Sequence, residues 1–281
     1  MAVKLFTTRR ALGTLGMVAS VPALSQPMPL QFGVMPNVSA RILLAQYQPF
    51  RTFLEQELGR VVEVVTAPGL QAFQERSMAG TFGLVVTAAN LGRVAELDAG
   101  LRPIAIYEPR IAGVIVTLRE RALTDAQELR GLTIAMTNPQ SLVALKFIHW
   151  LRARGLEIGR DAWATHARNE DSLAQLLSTT ETRAAVMSQG ELNAIRPEIR
   201  ETLVIWQSFV RVPGFLVLLG PRMGEAEGAR IIAALARFPG SAQGQAFFAA
   251  TGFHGIRPVT PADLAELDDV VAETRAFLRA T

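Results

Sequence analysis

Short apolar segments alternate with segments of helical periodicity along this chain, and that alternation limits the possible folds more than any other feature. Leu30–Met35 is a short apolar run that predicts a strand, and Leu43–Leu58 carries apolar residues at helical spacing. The same alternation returns in the middle third, where Leu132–Met136 predicts a strand and Ser141–Arg154 a helix. Strands that alternate with helices form mostly parallel sheets with helices on both faces. The sequence therefore predicts an α/β fold.

Two apolar segments indicate where the chain divides. They lie at about 111–118 and 209–219 and bracket the middle third of a sequence that contains no flexible linker. A chain that passes twice between two lobes needs two ordered connecting segments of this kind. We therefore expect two lobes joined by two crossover strands, with residues 26–117 and 213–281 in lobe 1 and residues 118–212 in lobe 2.

Residues 1–25 have the features of an export signal. Lys4 and the pair Arg9-Arg10 precede an apolar stretch too short to span a bilayer, and Ala23-Leu24-Ser25 forms a small-x-small cleavage pattern. The arginine pair also resembles a twin-arginine signal, and a buried N-terminal helix is the alternative interpretation. We expect export to the periplasm, without a lipid anchor because the chain has no cysteine.

Charge and composition argue against several classes of function. The chain has 28 Lys and Arg against 25 Asp and Glu, and Lys4, Arg9 and Arg10 account for that excess. Without the export signal the chain is formally neutral, so its basic pI is no evidence for a nucleic-acid partner. The absence of cysteine excludes disulfides and thiolate metal sites. Because no zinc-binding spacing and no G-x-S-x-G motif occurs, we expect no metal, no cofactor and no enzymatic activity.

Four segments resemble, in their order and spacing, those of a known transport family. They are Phe32–Pro36, Gln48–Phe50, Thr124–Leu132 and Val212–Phe215. Over about residues 30–222 the chain resembles the periplasmic solute-binding proteins of phosphate, phosphite and phosphonate ABC transporters. That resemblance implies the type II periplasmic-binding fold, in which two α/β lobes close around a ligand.

The resemblance also implies a function and partners. It predicts a monomeric periplasmic protein that delivers a small, phosphonate- or phosphate-like oxyanion to an ABC permease in the inner membrane. A ligand-sensing receptor of the same fold, which passes its signal to a membrane sensor, is the alternative. A periplasmic enzyme is a third and less favoured alternative.

The polar segments that follow strands are candidates for the ligand site. In doubly wound sheets ligands bind at the carboxyl ends of strands, and helix N-termini there favour an anion. Plain helix capping is the alternative role for these segments, although capping and binding are compatible. The candidate ligand-binding residues of this kind are Pro36, Asn37, Thr87, Ala88, Asn90, Asn138, Gln140 and Ser141.

Four further residues complete the candidate site. Tyr107 ends a predicted strand and could stack on a ligand from the cleft wall, or lie in the core. His166 also ends a predicted strand, where a structural role is the alternative to ligand contact. The other two candidates follow from the family resemblance. Asn169 stands where the family has a histidine, and Ser188 stands after a strand, where the family has an acidic residue that contacts the ligand.

Overall fold

The computed structural model describes residues 28–167, 170–179 and 182–280, so the predicted export signal lies outside the described residues. Within these ranges the strands are β1 (Leu30–Val34), β2 (Val62–Val65), β3 (Leu84–Thr87), β4 (Arg102–Glu108), β5 (Ile111–Leu118), β6 (Thr133–Met136), β7 (Trp163–His166), β8 (Thr182–Ser188), β9 (Leu203–Val212), β10 (Leu216–Leu219) and β11 (Gly255–Pro258).

The helices follow the same order along the chain. Short 3-10 turns occupy Arg119–Arg121, Ala126–Leu129, Phe238–Gly240 and Asp268–Val270. The α-helices are α1 (Ala40–Leu58), α2 (Leu70–Met78), α3 (Ala89–Ala99), α4 (Leu142–Arg152), α5 (Glu170–Leu176), α6 (Gln189–Ala194), α7 (Pro197–Arg200), α8 (Glu225–Arg237), α9 (Ala242–Thr251), α10 (Pro261–Ala265) and α11 (Val271–Ala280).

Helix α1 shows how local sequence sets an element. Its apolar residues recur every three or four positions, so Leu43, Tyr47, Phe50 and Leu54 form one buried face. The helix ends at Gly59, whose φ of 66° lies in the left-handed region that a side chain disfavours. The N–H of this glycine donates to the Glu55 carbonyl at 2.9 Å, which closes the last turn.

Each lobe contains one sheet, and the two-lobed α/β fold class is confirmed. The strand order is β11-β4-β10-β3-β1-β2 in lobe 1 and β7-β6-β8-β5-β9 in lobe 2. The expectation of mostly parallel sheets is also confirmed, because four of the six strands in lobe 1 and four of the five in lobe 2 run in the same direction. The reversed strands, β10 and β11 in lobe 1 and β5 in lobe 2, pair antiparallel with their neighbours. These antiparallel pairs involve the strands that carry the chain between the lobes.

The lobe boundary also differs from the predicted one. Residues 111–118 form β5, which hydrogen-bonds within the lobe 2 sheet, so lobe 1 does not extend to residue 117. The chain passes between the sheets at 109–110, after β4, and again at 213–215, between β9 and β10. Both passages are short connections between the lobes.

Both sheets bury side chains on both faces. In β3, Leu84 and Val86 pack on the side of α1, α8 and α9, whereas Val85 points to the opposite face. In β5, Val116 and Ile115 divide in the same way between two clusters. The cluster that holds Val85 and Ile115 contains residues of both lobes, so one apolar core continues across the interface.

The C-terminal segment, residues 260–280, joins the lobes a third time. It is fixed to α3 of lobe 1, where Arg93 Nε donates to Asp268 at 2.8 Å and Arg275 Nε to Asp98 at 2.9 Å. It also presents acceptors to α4 of lobe 2. These form an interlobe ion cluster, which consists of Lys146, His149, Asp269 and Glu273.

Lys146 is the centre of the interlobe ion cluster. Its Nζ donates to Asp269 Oδ1 at 2.6 Å and to the Glu266 carbonyl at 2.8 Å. The ring of His149 lies between Asp269, at 3.3 Å, and Glu273, at 3.0 Å. These contacts cross from lobe 2 to the C-terminal segment, so they favour the arrangement in which the lobes touch.

The C-terminal segment begins with a closed capping box. Thr260 Oγ1 accepts from the Asp263 N–H at 3.2 Å, and Asp263 Oδ2 accepts from the Thr260 N–H at 2.8 Å. Arg257 donates to both oxygens of Asp263, each at 2.7 Å. The Arg257 guanidinium, and then the Thr260 donors, hold the pKa of Asp263 far below its usual range against the opposing effect of burial.

We expect Asp263→Asn to lower the free energy of unfolding by about 2 kcal/mol at neutral pH, because charged hydrogen bonds in a nearly buried site are lost. A lowered pKa in the folded state stabilises the fold above the unfolded pKa, roughly pH 4, and this contribution disappears as pH falls through the folded pKa. Urea melts from neutral to acid pH should therefore show the two proteins converging below about pH 4. A constant difference across that range would contradict the assignment, and Glu157→Gln, on the surface, is the control.

We expect Lys146→Met to shift the lobes towards an open arrangement, because the interlobe ion cluster loses its central cation. Small-angle scattering should give a larger radius of gyration for this variant than for the parent. Arg160→Met is the matched control, since Arg160 pairs with Asp161 inside lobe 2. Identical scattering from Lys146→Met and the parent would show that the cluster does not affect the lobe arrangement.

Candidate ligand-binding cleft

A cavity of about 420 Å³ lies between the lobes. This volume is within the range of roughly 300–1,000 Å³ that is common for small-molecule sites. Both lobes and the second passage between them contribute to its wall. The lining residues are Met35, Pro36, Asn37, Leu70, Ala88, Ala89, Asn90, Leu91, Ile111, Thr137, Asn138, Gln140, Ser141, Leu142, Val143, Glu170, Ser188, Glu191, Val212, Pro213 and Phe215.

Several helices begin at this cavity, and the longer ones, α3 of lobe 1 and α4 of lobe 2, face it from opposite sides. Helix α3 starts after Ala88, which has no side-chain acceptor, so nothing in the cap occupies the amides of the first turn. Helix α4 starts after Ser141, whose Oγ accepts from the Ala144 N–H at 3.1 Å. The amides of Leu142 and Val143 precede that bond and have no acceptor within the helix. The wall therefore presents backbone donors and two positive helix ends, an arrangement that favours an anion.

The loop before α4 is held by its own hydrogen bonds. Asn138 Oδ1 accepts from the Gln140 N–H at 2.9 Å, and the Ser141 N–H donates to the Asn138 carbonyl at 3.1 Å. This Asx turn fixes the direction in which the chain enters α4. The donors of the first helical turn are consequently in place before any ligand arrives.

Asn90 makes a direct polar contact across the cleft. Its Nδ2 donates to the Gln140 carbonyl of lobe 2 at 3.3 Å and to Thr274 Oγ1 of the C-terminal segment, also at 3.3 Å. The residue is only 1% exposed. A single amide in the first turn of α3 therefore contacts lobe 2 and the C-terminal segment at once.

Two glutamates of the wall, Glu170 and Glu191, were not among the residues predicted from the sequence. Glu191 Oε2 accepts from the Ser188 N–H at 2.6 Å and Glu191 Oε1 accepts from Thr137 Oγ1, so this carboxylate ties the ends of β6 and β8 together. The capping-box spacing from Ser188 to Glu191 was the available sequence signal. Glu170 lines the cavity at the start of α5. Among the described lining residues these are the charged side chains, and none is Lys, Arg or His.

The structure brings most of the predicted site residues together. Asn169 lies outside the described residues. The predicted residues that line the cavity are Pro36, Asn37, Ala88, Asn90, Asn138, Gln140, Ser141 and Ser188.

Three predicted residues do not line the cavity. Thr87 is buried beneath it, with Oγ1 at 3.7 Å from the sulfur of Met35. His166 is exposed at the end of β7, the outermost strand of the lobe 2 sheet, and is not among the residues that line the cavity. Both residues do lie at strand ends, as predicted. The side chain of Thr87 is buried below the cavity, and the strand that carries His166 is at the edge of its sheet.

Tyr107 belongs to the core of lobe 1 and not to the cleft wall. Its ring packs against Phe253 at 4.8 Å between centroids and against Phe247 at 5.9 Å, and the residue is 1% exposed. Its hydroxyl donates to the hydroxyl of Tyr47 at 3.4 Å. Burial, followed by the neighbouring Tyr47, raises the pKa of Tyr107 well above its ordinary value. The side-chain alternation along β4 turns this ring towards α9.

Membrane-spanning helices and metal-binding clusters are absent from the described part of the chain. No helix there is long and apolar enough to cross a bilayer. No group of three or more His, Asp or Glu side chains in the same ranges lies close enough together to hold a metal ion.

Solved structures of other proteins share this architecture. A Xanthomonas citri protein bound to chloride superposes with a TM-score of 0.76 at 18% identity, covering 88% of this chain and 99% of the other. The binding component of an ABC phosphonate transporter from Pseudomonas aeruginosa gives 0.70 at 14% identity, with 90% and 89% covered. PhnD1 of Prochlorococcus marinus in complex with methylphosphonate gives 0.71 at 13% identity, with 88% and 98% covered. At such low identities these superpositions establish the fold alone, the type II periplasmic-binding fold.

Sequence comparison supplies the family. A search of curated proteins gives no match. A protein-family profile, described as 'ABC transporter, phosphonate, periplasmic substrate-binding protein', matches residues 32–264. That match spans most of the chain and includes every described residue of the cavity wall. The chain therefore belongs to the phosphonate family of periplasmic substrate-binding proteins of ABC transporters.

Proposed function

We propose that this protein binds one small oxyanion between its lobes and delivers it to an ABC permease in the inner membrane. The observation that carries the proposal is the pair of helix N-termini, of α3 and α4, that open from opposite lobes into one cavity. Membership of a substrate-binding family supports transport over catalysis. The anion would be held by backbone amides and neutral polar groups, with Asn138, Gln140 and Ser141 on one side and Asn90 on the other.

The energetics favour enclosure of the ligand by both lobes. A micromolar dissociation constant corresponds to about −8 kcal/mol. A ligand of ten or fewer heavy atoms reaches that value only near the ceiling of about −1.5 kcal/mol per atom. Such efficiency needs contacts on all sides, which one lobe alone does not offer. Closure of the lobes around the ligand is the motion that supplies them.

The remaining parts of the proposal concern location and assembly. Residues 1–25 would direct export to the periplasm and be removed. Because the chain has no cysteine, the mature protein would carry no lipid anchor. It would act as a monomer and would not bind nucleic acid. The ligand would bind without turnover. Residues 28–109 and 214–280 would move as lobe 1, and residues 110–213 as lobe 2.

We expect the purified protein to be stabilised by at least one small oxyanion. A thermal-shift screen with phosphate, phosphite, methylphosphonate, methanesulfonate and acetate tests this. A ligand at a hundredfold excess over its dissociation constant stabilises the folded state by about 2.7 kcal/mol. If none of these compounds stabilises the protein, the proposal that its ligand is an oxyanion is wrong. If a stabilising compound is converted to product, the assignment as a receptor is wrong.

Two serine caps provide a matched pair of variants. Ser141 caps α4 at the cavity, and Ser241 caps α9 away from it, where its Oγ accepts from the Gly244 N–H at 2.9 Å. We expect Ser141→Leu and Ser241→Leu each to cost about 1 kcal/mol of stability. Only Ser141→Leu should weaken binding, by about tenfold or more, since the new side chain fills the cavity. Equal affinities of the two variants in isothermal titration would show that Ser141 is only a cap.

A further inference from the structure

One hydrogen-bond acceptor in the cleft wall has no partner. Asn90 lines the cavity and is 1% exposed, and its Oδ1 accepts no hydrogen bond from any described residue. A buried amide oxygen without a partner loses the hydrogen bonds that water gave it in the unfolded chain. Such atoms are rare in folded proteins, and a missing ligand is one established reason for them.

The orientation of this amide is fixed by its neighbours. The Gln140 carbonyl can only accept, so it requires an N–H from Asn90. Thr274 Oγ1 donates its own hydrogen to the Val270 carbonyl at 2.8 Å, so it also accepts from Asn90. Rotation of the amide by 180° would place its oxygen against two acceptors. Oδ1 is therefore the unpaired atom, and it needs a donor.

The charges of the wall argue in the same direction. Glu170 and Glu191 both line the cavity, and the oxygens of Glu191 already accept from Thr137 and Ser188. A doubly charged anion would be repelled by these carboxylates. A singly charged anion is repelled less and can still receive hydrogen bonds from the helix amides. The wall thus combines donors for an anion with an acceptor that requires a proton.

We infer that the cleft selects an oxyacid that carries one negative charge and keeps one O–H, as in a hydrogen phosphonate. This inference rests on the proposed function and deepens it. The unprotonated oxygens would accept from the first-turn amides of α3 and α4, and the O–H would donate to Asn90 Oδ1. A sulfonate of the same shape and charge has no O–H at neutral pH. It would leave the acceptor unpaired, and sites built to bond a hydroxyl reject analogues that lack it.

The test compares methylphosphonate with methanesulfonate by isothermal titration of the purified protein. At about pH 6 methylphosphonate should bind at least tenfold more tightly. Its affinity should fall about tenfold for each pH unit above its second pKa, because only the monoanion donates. The affinity of methanesulfonate should not change over the same pH range, which controls for titration of the protein. Equal affinities of the two compounds, or a methylphosphonate affinity that is constant with pH, would overturn the inference while leaving the oxyanion receptor intact.

Variants identify the acceptor. Asn90→Leu removes Oδ1 together with the interlobe hydrogen bonds, so the ratio of the two affinities should fall towards one. Thr274→Val removes one bond to Asn90 but keeps Oδ1, so that ratio should stay as in the parent. A parental ratio in a folded Asn90→Leu variant would overturn the role of Asn90. If Asn90→Leu does not fold, the comparison of the two compounds in the parent protein decides the inference. Failure of every oxyanion to bind would instead overturn the proposed function itself.

Discussion

The burial of strand side chains on both faces of each sheet is the constraint on which the rest of the structure depends. Strand β3 sends Leu84 and Val86 to one face and Val85 to the other, and both faces must be covered. Connections between parallel strands such as β1 and β3 therefore return as helices packed on the sheet. Each return begins at the carboxyl end of a strand, and this places helix N-termini at the edge where the lobes meet. The anion-favouring wall of the cleft follows from that packing.

The lobes are coupled by more than the two backbone passages. One apolar cluster includes Phe82 of lobe 1, Phe147 of lobe 2 and Leu267 of the C-terminal segment. The interlobe ion cluster and the amide of Asn90 add polar contacts around the same interface. Apolar burial here resists separation of the lobes, whereas the polar contacts have defined geometry and are lost at small displacements. The cleft thus lies between two bodies whose relative position is set by direct contacts.

Elements whose boundaries depend on local sequence were the easiest to predict. Helix α4 occupies residues 142–152, within the predicted Ser141–Arg154, and the rule that sites lie at strand ends located most of the described cleft wall. The misses depend on contacts that are distant in sequence. Residues 111–118 look like a boundary strand from composition alone, but their pairing with β8 and β9 assigns them to lobe 2. Tyr107 turned inwards because of packing with α9, which no local pattern reveals.

Other differences have similar causes. The C-terminal segment contains a 3-10 turn at Asp268–Val270 between α10 and α11, and this turn contacts α4 of lobe 2. Strand β11 is too short and too polar to be recognised without its partner β4. Glu191 belongs to a capping box with Ser188. The spacing of these residues indicates the capping role, but it does not indicate that Glu191 lines the cleft. The position of the cleft wall was therefore predictable from the sequence, whereas the negative charge of its glutamates was not.

The continuous apolar cluster has a consequence for how this protein can diversify. Removal of either lobe, or its exchange for the corresponding lobe of a distant relative, would expose apolar side chains of this cluster to water. A new ligand preference must therefore arise by point replacement at the rim of the cavity. Glu191 braces the strand ends of the lobe 2 wall, and Asn90 ties the start of α3 to lobe 2 and the C-terminal segment. The less constrained position of the wall is therefore the exposed Asn37, after β1.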